Sequence, residues 1–225
     1  MNDILEAVEL ETAPNPTTSV IWLHGLGADG NDFASLPPQL GVSPELAVRY
    51  VFPHAPVIPV TINMGTPMPA WYDIASLDAR GQDEAGIRQS AASIEMLIAR
   101  EIDRGVPASR IVLAGFSQGA AMALFTGLRY ESPLAGLLVL SGYLPLHERL
   151  PKEAAEANQQ VPILQAHGRH DDVVPRQLGY GSAELLRAAG YQVEWHEYEM
   201  AHEVCFEEVQ EIGRWLNRVF GEESD

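Results

Sequence analysis

A serine flanked by glycines at fixed spacing, Gly115-Phe116-Ser117-Gln118-Gly119, directly follows the apolar run RIVLAG and opens the alanine-rich stretch QGAAMALF. Three fixed residues in five positions are a weak pattern alone. A buried strand that runs into G-x-S-x-G and then into a helix is far more specific, because it describes a nucleophile elbow. A sharp turn there lifts the serine Oγ above the sheet, and the glycines leave room for neighbouring backbone. Ser117 is therefore the candidate nucleophile. A serine hydroxyl reacts poorly at neutral pH, so it needs a histidine base, and that base needs an acid to hold its tautomer.

In such a scaffold the acid and then the histidine follow the serine along the chain. Five of the seven histidines lie beyond Ser117, and His167, His170, His196 and His202 are those in or near the last predicted strands. His167 ends the apolar run PILQAH and reads as a structural residue at a strand tip. His196 is in phase with Gln192 and Glu194, which turns it away from Val193 and Trp195. His202 lies in EMAHEV, a short connection between the last predicted strand and the C-terminal helix, from which a side chain can reach across the carboxyl edge of the sheet. It is the expected base. The acid is expected in HGRHDDVVP, where residue chemistry does not choose between Asp171 and Asp172. The group His167, His170, Asp171 and Asp172 also has metal-ligand types, but short loop clusters of this kind are usually solvated or hydrogen-bonded, and no metal is expected. Cys205 falls on the predicted apolar stripe of the C-terminal helix and reads as a buried small hydrophobe rather than as a thiol nucleophile.

Acyl transfer at Ser117 would create an oxyanion, which needs two backbone N–H donors already aimed at it. One is expected from Gln118, the residue after the nucleophile. The other is expected from the loop HGLGADG, residues 24–30, which follows the apolar run SVIWL. Gly25, Gly27 and Gly30 of this loop also fit G-x-G-x-x-G, the dinucleotide fingerprint. That reading requires a long following helix and an acid about 20 residues on. The chain instead continues NDFASLPPQLG, where paired prolines limit any helix, and then RYVFPHAP, which has no acid. The loop is better read as the second oxyanion element, with Leu26 as donor.

These residues need a scaffold. SVIWL, LAVRYVF, RIVLAG, GLLVLS, PILQAH and YQVEWHEY read as strands, and four of them lack polar alternation, as parallel strands covered on both faces do. A helix is predicted from Asp83 to Arg104, with Ile87, Ala91, Ile94, Ile98 and Ile102 at helical spacing and Gly105 beyond its end. Two more are predicted, from about Arg176 to Ala189 and from about Glu203 to Phe220, the last with Phe206, Val209, Leu216 and Val219 on one face. Strand-helix alternation implies a doubly wound, mostly parallel α/β sheet with helices on both faces.

At 225 residues and 46% hydrophobic, the chain fits one α/β domain spanning residues 1–225. Its formal charge of −17 would repel nucleic acid and anionic headgroups, so neither is an expected partner. No run approaches the ~18 apolar residues of a membrane span, and the N-terminus lacks a basic, apolar leader. With Cys205 as the single cysteine, no intrachain disulfide can form. A soluble, cytoplasmic protein is expected.

HGLGADG, PHAPVIPVTINMGTPMPAWYDI, RIVLAGFSQGAAMAL, LSGYLPL, HGRHDDVVP and MAHEV together resemble, in order and from about Val20 to Phe220, the phospholipase/carboxylesterase family of α/β-hydrolases, which includes bacterial carboxylesterases and acyl-protein thioesterases. The resemblance implies an α/β-hydrolase fold with Ser117 as nucleophile, His202 as base and the first aspartate, Asp171, as acid. It implies Leu26 and Gln118 as oxyanion donors and no cofactor. The implied substrates are small or lipid-like acyl esters, with thioesters, lysophospholipids and acylated proteins in range, and homodimers are common among similar proteins. Tyr143 in LSGYLPL departs from relatives that carry tryptophan, which bears on the shape of the acyl pocket. Residues 57–70, uncharged and rich in proline, are expected to wall that pocket, with Trp71, Tyr143 and Val173 as neighbours. The alternative from another class is a catalytically silent binding module on the same fold. The intact set of Ser117, Asp171, His202 and oxyanion loop argues against it.

Overall fold

The computed structural model describes residues 4–76 and 81–221. Its elements in chain order are β1 (Ala7–Glu11), β2 (Thr18–Leu23), β3 (Val48–Pro53), β4 (Val57–Val60), β5 (Thr66–Pro69), α1 (Glu84–Asp103), β6 (Ile111–Phe116), α2 (Gln118–Gly127), β7 (Gly136–Leu140), α3 (Leu150–Glu153), β8 (Ile163–Gly168), α4 (Arg176–Ala188), β9 (Val193–Tyr198) and α5 (Phe206–Gly221). Seven strands form one sheet in the order β1-β3-β2-β6-β7-β8-β9, parallel throughout except for the antiparallel edge pair β1 and β3. All six strands read from sequence are present. This is the α/β-hydrolase architecture.

The unbroken apolar runs are explained by cover on both faces. Alternate residues of one strand enter different cores: Ile21 and Leu23 of β2 pack with α1 and α2, whereas Val20 and Trp22 pack with α5. The same division holds along β6, where Leu113 faces the first core and Val112 and Ala114 face the second. Period-two alternation therefore exists, but between two apolar environments, so no polar residue marks it in the sequence. Among the described residues no helix is long and apolar enough to cross a membrane.

Four details depart from the sequence reading. The edge strand β1 was not anticipated. Val8 and Leu10 pack inward, while Glu9 and Glu11 reach out to Arg100 and Arg49, each at 2.8 Å, so the strand looks like a polar terminus. Ile102 of α1 is 39% exposed, and the position that continues the buried stripe is Glu101, which is fully buried and ion-paired with Arg49 at 2.8 Å. A charged residue at a core position diverted the pattern by one residue, and its guanidinium partner makes the burial tolerable. α5 starts at Phe206, not near Glu203, so Cys205 precedes the helix and is only partly buried, and Phe206 is 64% exposed. The buried face of α5 is Val209, Ile212, Trp215, Leu216 and Phe220. Finally, residues 57–69 fold as a hairpin of β4 and β5 in which Pro59 faces Pro67. Its turn is made by Met64 and Gly65, both at positive φ.

Glu208, in the first turn of α5, is 1% exposed, and neither carboxyl oxygen has a hydrogen-bond partner among the described residues. Burial pushes this carboxyl up to about 8, and the nearby Cys205 amide opposes that only in part. An acid whose folded pKa exceeds its unfolded value costs stability as pH rises from about 4.3 to about 8, because only the unfolded chain releases the proton freely in that window. Glu208→Gln is therefore expected to be more stable than wild type at pH 8, by on the order of 1–3 kcal/mol, or several degrees in Tm. The advantage should shrink towards pH 5, and thermal melts across that range check it. A Tm gain that is absent, or independent of pH, would count against the buried neutral acid.

Candidate active site

The carboxyl ends of β2, β6, β7, β8 and β9 all point to one edge of the sheet, and each is followed by a loop carrying a residue singled out above. Ser117 follows β6 at φ 55°, ψ −118°, a conformation that L-residues rarely adopt. Its amide donates to Leu140 O at 2.9 Å, which ties the turn to β7. The flanking glycines are required sterically. A Cβ on Gly115 would lie 2.3 Å from the Gly119 carbonyl carbon, and one on Gly119 would lie 2.2 Å from Leu23 O. Strand, turn and helix thus pass within contact of one another, and this is the elbow foreseen from the spacing. The Ser117 Oγ accepts and donates no hydrogen bond among the described residues.

Asp171 and His202 are brought together from β8 and β9. Asp171 Oδ2 lies 2.7 Å from His202 Nδ1, and Oδ1 accepts from the amides of Val173 at 3.0 Å and Val174 at 2.8 Å. The carboxylate is buried, with three N–H groups directed at it. Asp172 is exposed, so the structure separates the two aspartates that the sequence left equivalent. The His202 ring packs on Phe116, the residue before Ser117, at 4.7 Å between centroids. His202 is partly buried, with its Nδ1 held by Asp171 and its Nε2 left for another partner.

The other histidines do not share this geometry. His167 is fully buried, with Nε2 2.9 Å from Val174 O, and burial lowers its pKa, so it stays neutral and braces the loop that carries Asp171. His170 pairs with Glu199 at the surface, 2.9 Å away, so the four residues considered as a metal group do not converge. His196 lies near Glu194 and Glu211 on the α5 side of β9, opposite Trp195, which packs on His167 and Tyr180.

The loop after β2 is shaped from behind. His24 Nε2 accepts from the Ala55 amide at 3.0 Å, which leaves Nδ1 as the protonated nitrogen, donating to Gly25 O at 2.7 Å. Desolvation lowers the pKa of this ring and keeps it in that neutral form. Gly27 sits at φ 76°, and its amide donates to Pro69 O at 2.8 Å, so the β4–β5 hairpin braces the loop. Gly30 serves packing instead, since a Cβ there would lie 2.2 Å from Phe52 O. The Leu26 amide has no hydrogen-bond partner among the described residues. Neither does that of Gln118, at the first position of α2. The Gln118 side chain is fully engaged, accepting from Trp71 N and donating to Tyr72 O, both at 2.8 Å, so its backbone N–H is held in place and left free.

Beside these groups is a small cleft of about 80 Å³, lined by Leu26, Ser117, Gln118, Tyr143 and Val173 of the residues named from sequence. Trp71 does not line it. This residue is 1% exposed, and its indole donates to His24 O at 2.9 Å, so it supports the loop after β2 from within the core. Residues 57–70 do not line the cleft either. That wall is formed by the next stretch, Tyr72, Ile74 and Ser76, and by Leu178 of α4. Sequence reading missed these four because one is a half-buried residue of a largely exposed helix and three come from a loop without periodicity.

Comparison with known proteins agrees with this architecture. The chain is 45% identical over 212 residues to acyl-protein thioesterase 1 of Neurospora crassa, covering 89% of this chain and 86% of that one. Among solved structures, SOBER1 of Arabidopsis thaliana superposes with a TM-score of 0.84 at 31% identity, covering 90% of this chain and 98% of that chain. Acyl-protein thioesterase 2 of Zea mays gives a TM-score of 0.84 at 29% identity, covering 96% and 99%. The sequence model of the Phospholipase/Carboxylesterase family matches residues 5–220. A strained serine at an elbow, a histidine held by a buried aspartate, and this match over nearly the whole chain lead to one conclusion: the chain belongs to the phospholipase/carboxylesterase family of α/β-hydrolases.

Proposed function

We propose that the protein hydrolyses carboxylic esters and thioesters through an acyl-enzyme formed on Ser117. It is a hydrolase of the carboxylesterase type by family. The observation that carries the mechanism is the 2.7 Å contact between Asp171 Oδ2 and His202 Nδ1, with the imidazole packed beside the elbow. Asp171 fixes the tautomer, so Nε2 takes the proton of Ser117 as Oγ attacks the carbonyl carbon. The N–H groups of Leu26 and Gln118 receive the oxyanion of the tetrahedral intermediate. His202 then returns the proton to the leaving group, and water repeats the sequence to release the acid.

Acyl-protein thioesters are the substrate class that the relatives favour, since the Neurospora crassa protein bears that name at 45% identity. A thiol leaves at a much lower pKa than an alcohol, so a thioester asks less of His202 as an acid. Purified protein assayed on p-nitrophenyl acyl esters of graded chain length, and on an S-acylated peptide, tests the reading. Turnover of both is expected, with a larger kcat/KM on the thioester. No turnover of either would leave the silent binding module as the better account.

The oxyanion loop makes a separate prediction. Gly27→Ala places a Cβ at φ 76°, which costs roughly 1–2 kcal/mol and shifts the adjacent Leu26 amide. The variant should fold, melt a few degrees lower and lose about 10- to 1,000-fold in kcat, the upper figure being that for loss of one oxyanion donor. A folded variant with wild-type kcat would remove Leu26 from the mechanism.

A further inference from the structure

The cleft beside Ser117 ends against a partition. On the far side is a larger cavity of about 260 Å³, between residues 143–148 and α4. Tyr143 and Leu178 line both spaces. The larger cavity is lined by the apolar side chains of Leu144, Leu146 and Leu185 and by the polar ones of His147 and Gln177. Nothing in the mechanism above uses it.

The partition is held from two directions. The phenol oxygen of Tyr143 lies 3.0 Å from that of Tyr72, which is 2% exposed. Burial pushes both phenols above their ordinary range, so the pair stays neutral and hydrogen-bonded at working pH. On the other side, Ser182 Oγ accepts from Leu144 N and donates to Leu178 O, each at 2.8 Å. That hydroxyl clamps the residue after Tyr143 to the turn of α4 that carries Leu178. A flexible wall would need none of these ties.

We propose that the Tyr72–Tyr143 hydroxyl pair, together with Leu178, is a stop that fixes the acyl-chain length accepted at Ser117. This rests on the cleft being the acyl site of the esterase reading. The wild-type cleft takes a short acyl chain. The 260 Å³ cavity is an extension that the chain could enter if the partition were removed. Tyr143 and Leu178 act on specificity by excluding volume and take no part in proton transfer.

The test uses p-nitrophenyl butanoate and decanoate and reads the ratio of kcat/KM for the long ester over the short one. The same folded fraction turns over both esters, so the ratio does not depend on how much of a variant folds. Each methylene that leaves water for an apolar wall is worth about 0.8 kcal/mol, or roughly fourfold. In wild type that gain should stop at a short chain. In Tyr143→Ala it should continue, raising the ratio by at least about tenfold, the gain from two further methylenes. Leu178→Ala opens the same partition from α4 and should move the ratio in the same direction. Tyr143→Phe keeps the ring but frees it from Tyr72, and an intermediate ratio is expected. A wild-type ratio in both Tyr143→Ala and Leu178→Ala would overturn the stop, and a wild-type ratio in Tyr143→Phe alone would remove the hydroxyl pair from it. Wild-type protein without turnover on either ester would overturn the esterase reading and the stop with it. Turnover with unchanged ratios overturns the stop alone.

Discussion

Ser117→Ala is expected to abolish ester turnover, with kcat falling by about 10⁶, the loss seen when the nucleophile of a triad hydrolase is removed. The fold should survive. The side chain is small, its Oγ holds no neighbour among the described residues, and the strained backbone at φ 55° is imposed by contacts between Gly115, Gly119 and Leu23 that the substitution leaves intact. Tm within one or two degrees of wild type is therefore expected. Circular dichroism melts and active-site labelling with a fluorophosphonate check both parts. Labelling of the folded alanine variant, or residual turnover well above background, would place the nucleophile elsewhere.

That this serine, and the histidine 85 residues beyond it, stand out in the sequence as candidates has a physical reason. An elbow forces the strand, the turn and the helix to pass within contact of one another, so its glycines recur at fixed spacing around the serine. A base in a short connection after the last strand is likewise restricted to the few residues that the carboxyl edge exposes. The wall of the cleft obeys no such constraint. Tyr72 and Ile74 follow a proline-rich hairpin that is tied to the loop after β2 by the Gly27 amide donating to Pro69 O, and Leu178 is one apolar residue of a helix that is exposed on most of its surface. Trp71 is expected beside the substrate only as a neighbour of the uncharged stretch 57–70. Its indole N–H instead found a partner in His24 O, and that bond turns it into the core. The burial of Glu101 was also illegible, since a local pattern contains no trace of an arginine 52 residues away.

The two aspartates show most directly what geometry adds, because sequence chemistry treats Asp171 and Asp172 alike. Asp171→Asn should lower kcat by about 10³–10⁴, and Asp172→Asn should cost less than about threefold. The asymmetry follows from the hydrogen bonds. Oδ1 of Asp171 accepts from two backbone amides, Val173 N and Val174 N, so an asparagine must present its oxygen there and turn its NH₂ towards His202 Nδ1. The opposite rotamer would set two donors against a third. An NH₂ facing Nδ1 drives the ring proton to Nε2, the nitrogen that must accept the proton of Ser117, and the base is then in the wrong tautomer. Both amide bonds survive, so the loop should remain ordered and Tm should stay close to wild type. A purely structural role for Asp171 predicts the reverse, with stability and activity lost together. Asp172 is exposed and outside this network, so its neutralisation should affect only the surface potential. Measuring kcat and Tm for the two variants side by side decides the assignment. A larger loss of kcat in Asp172→Asn, or equal losses in both, would show that the 2.7 Å contact between Asp171 and His202 is not the one that catalysis uses.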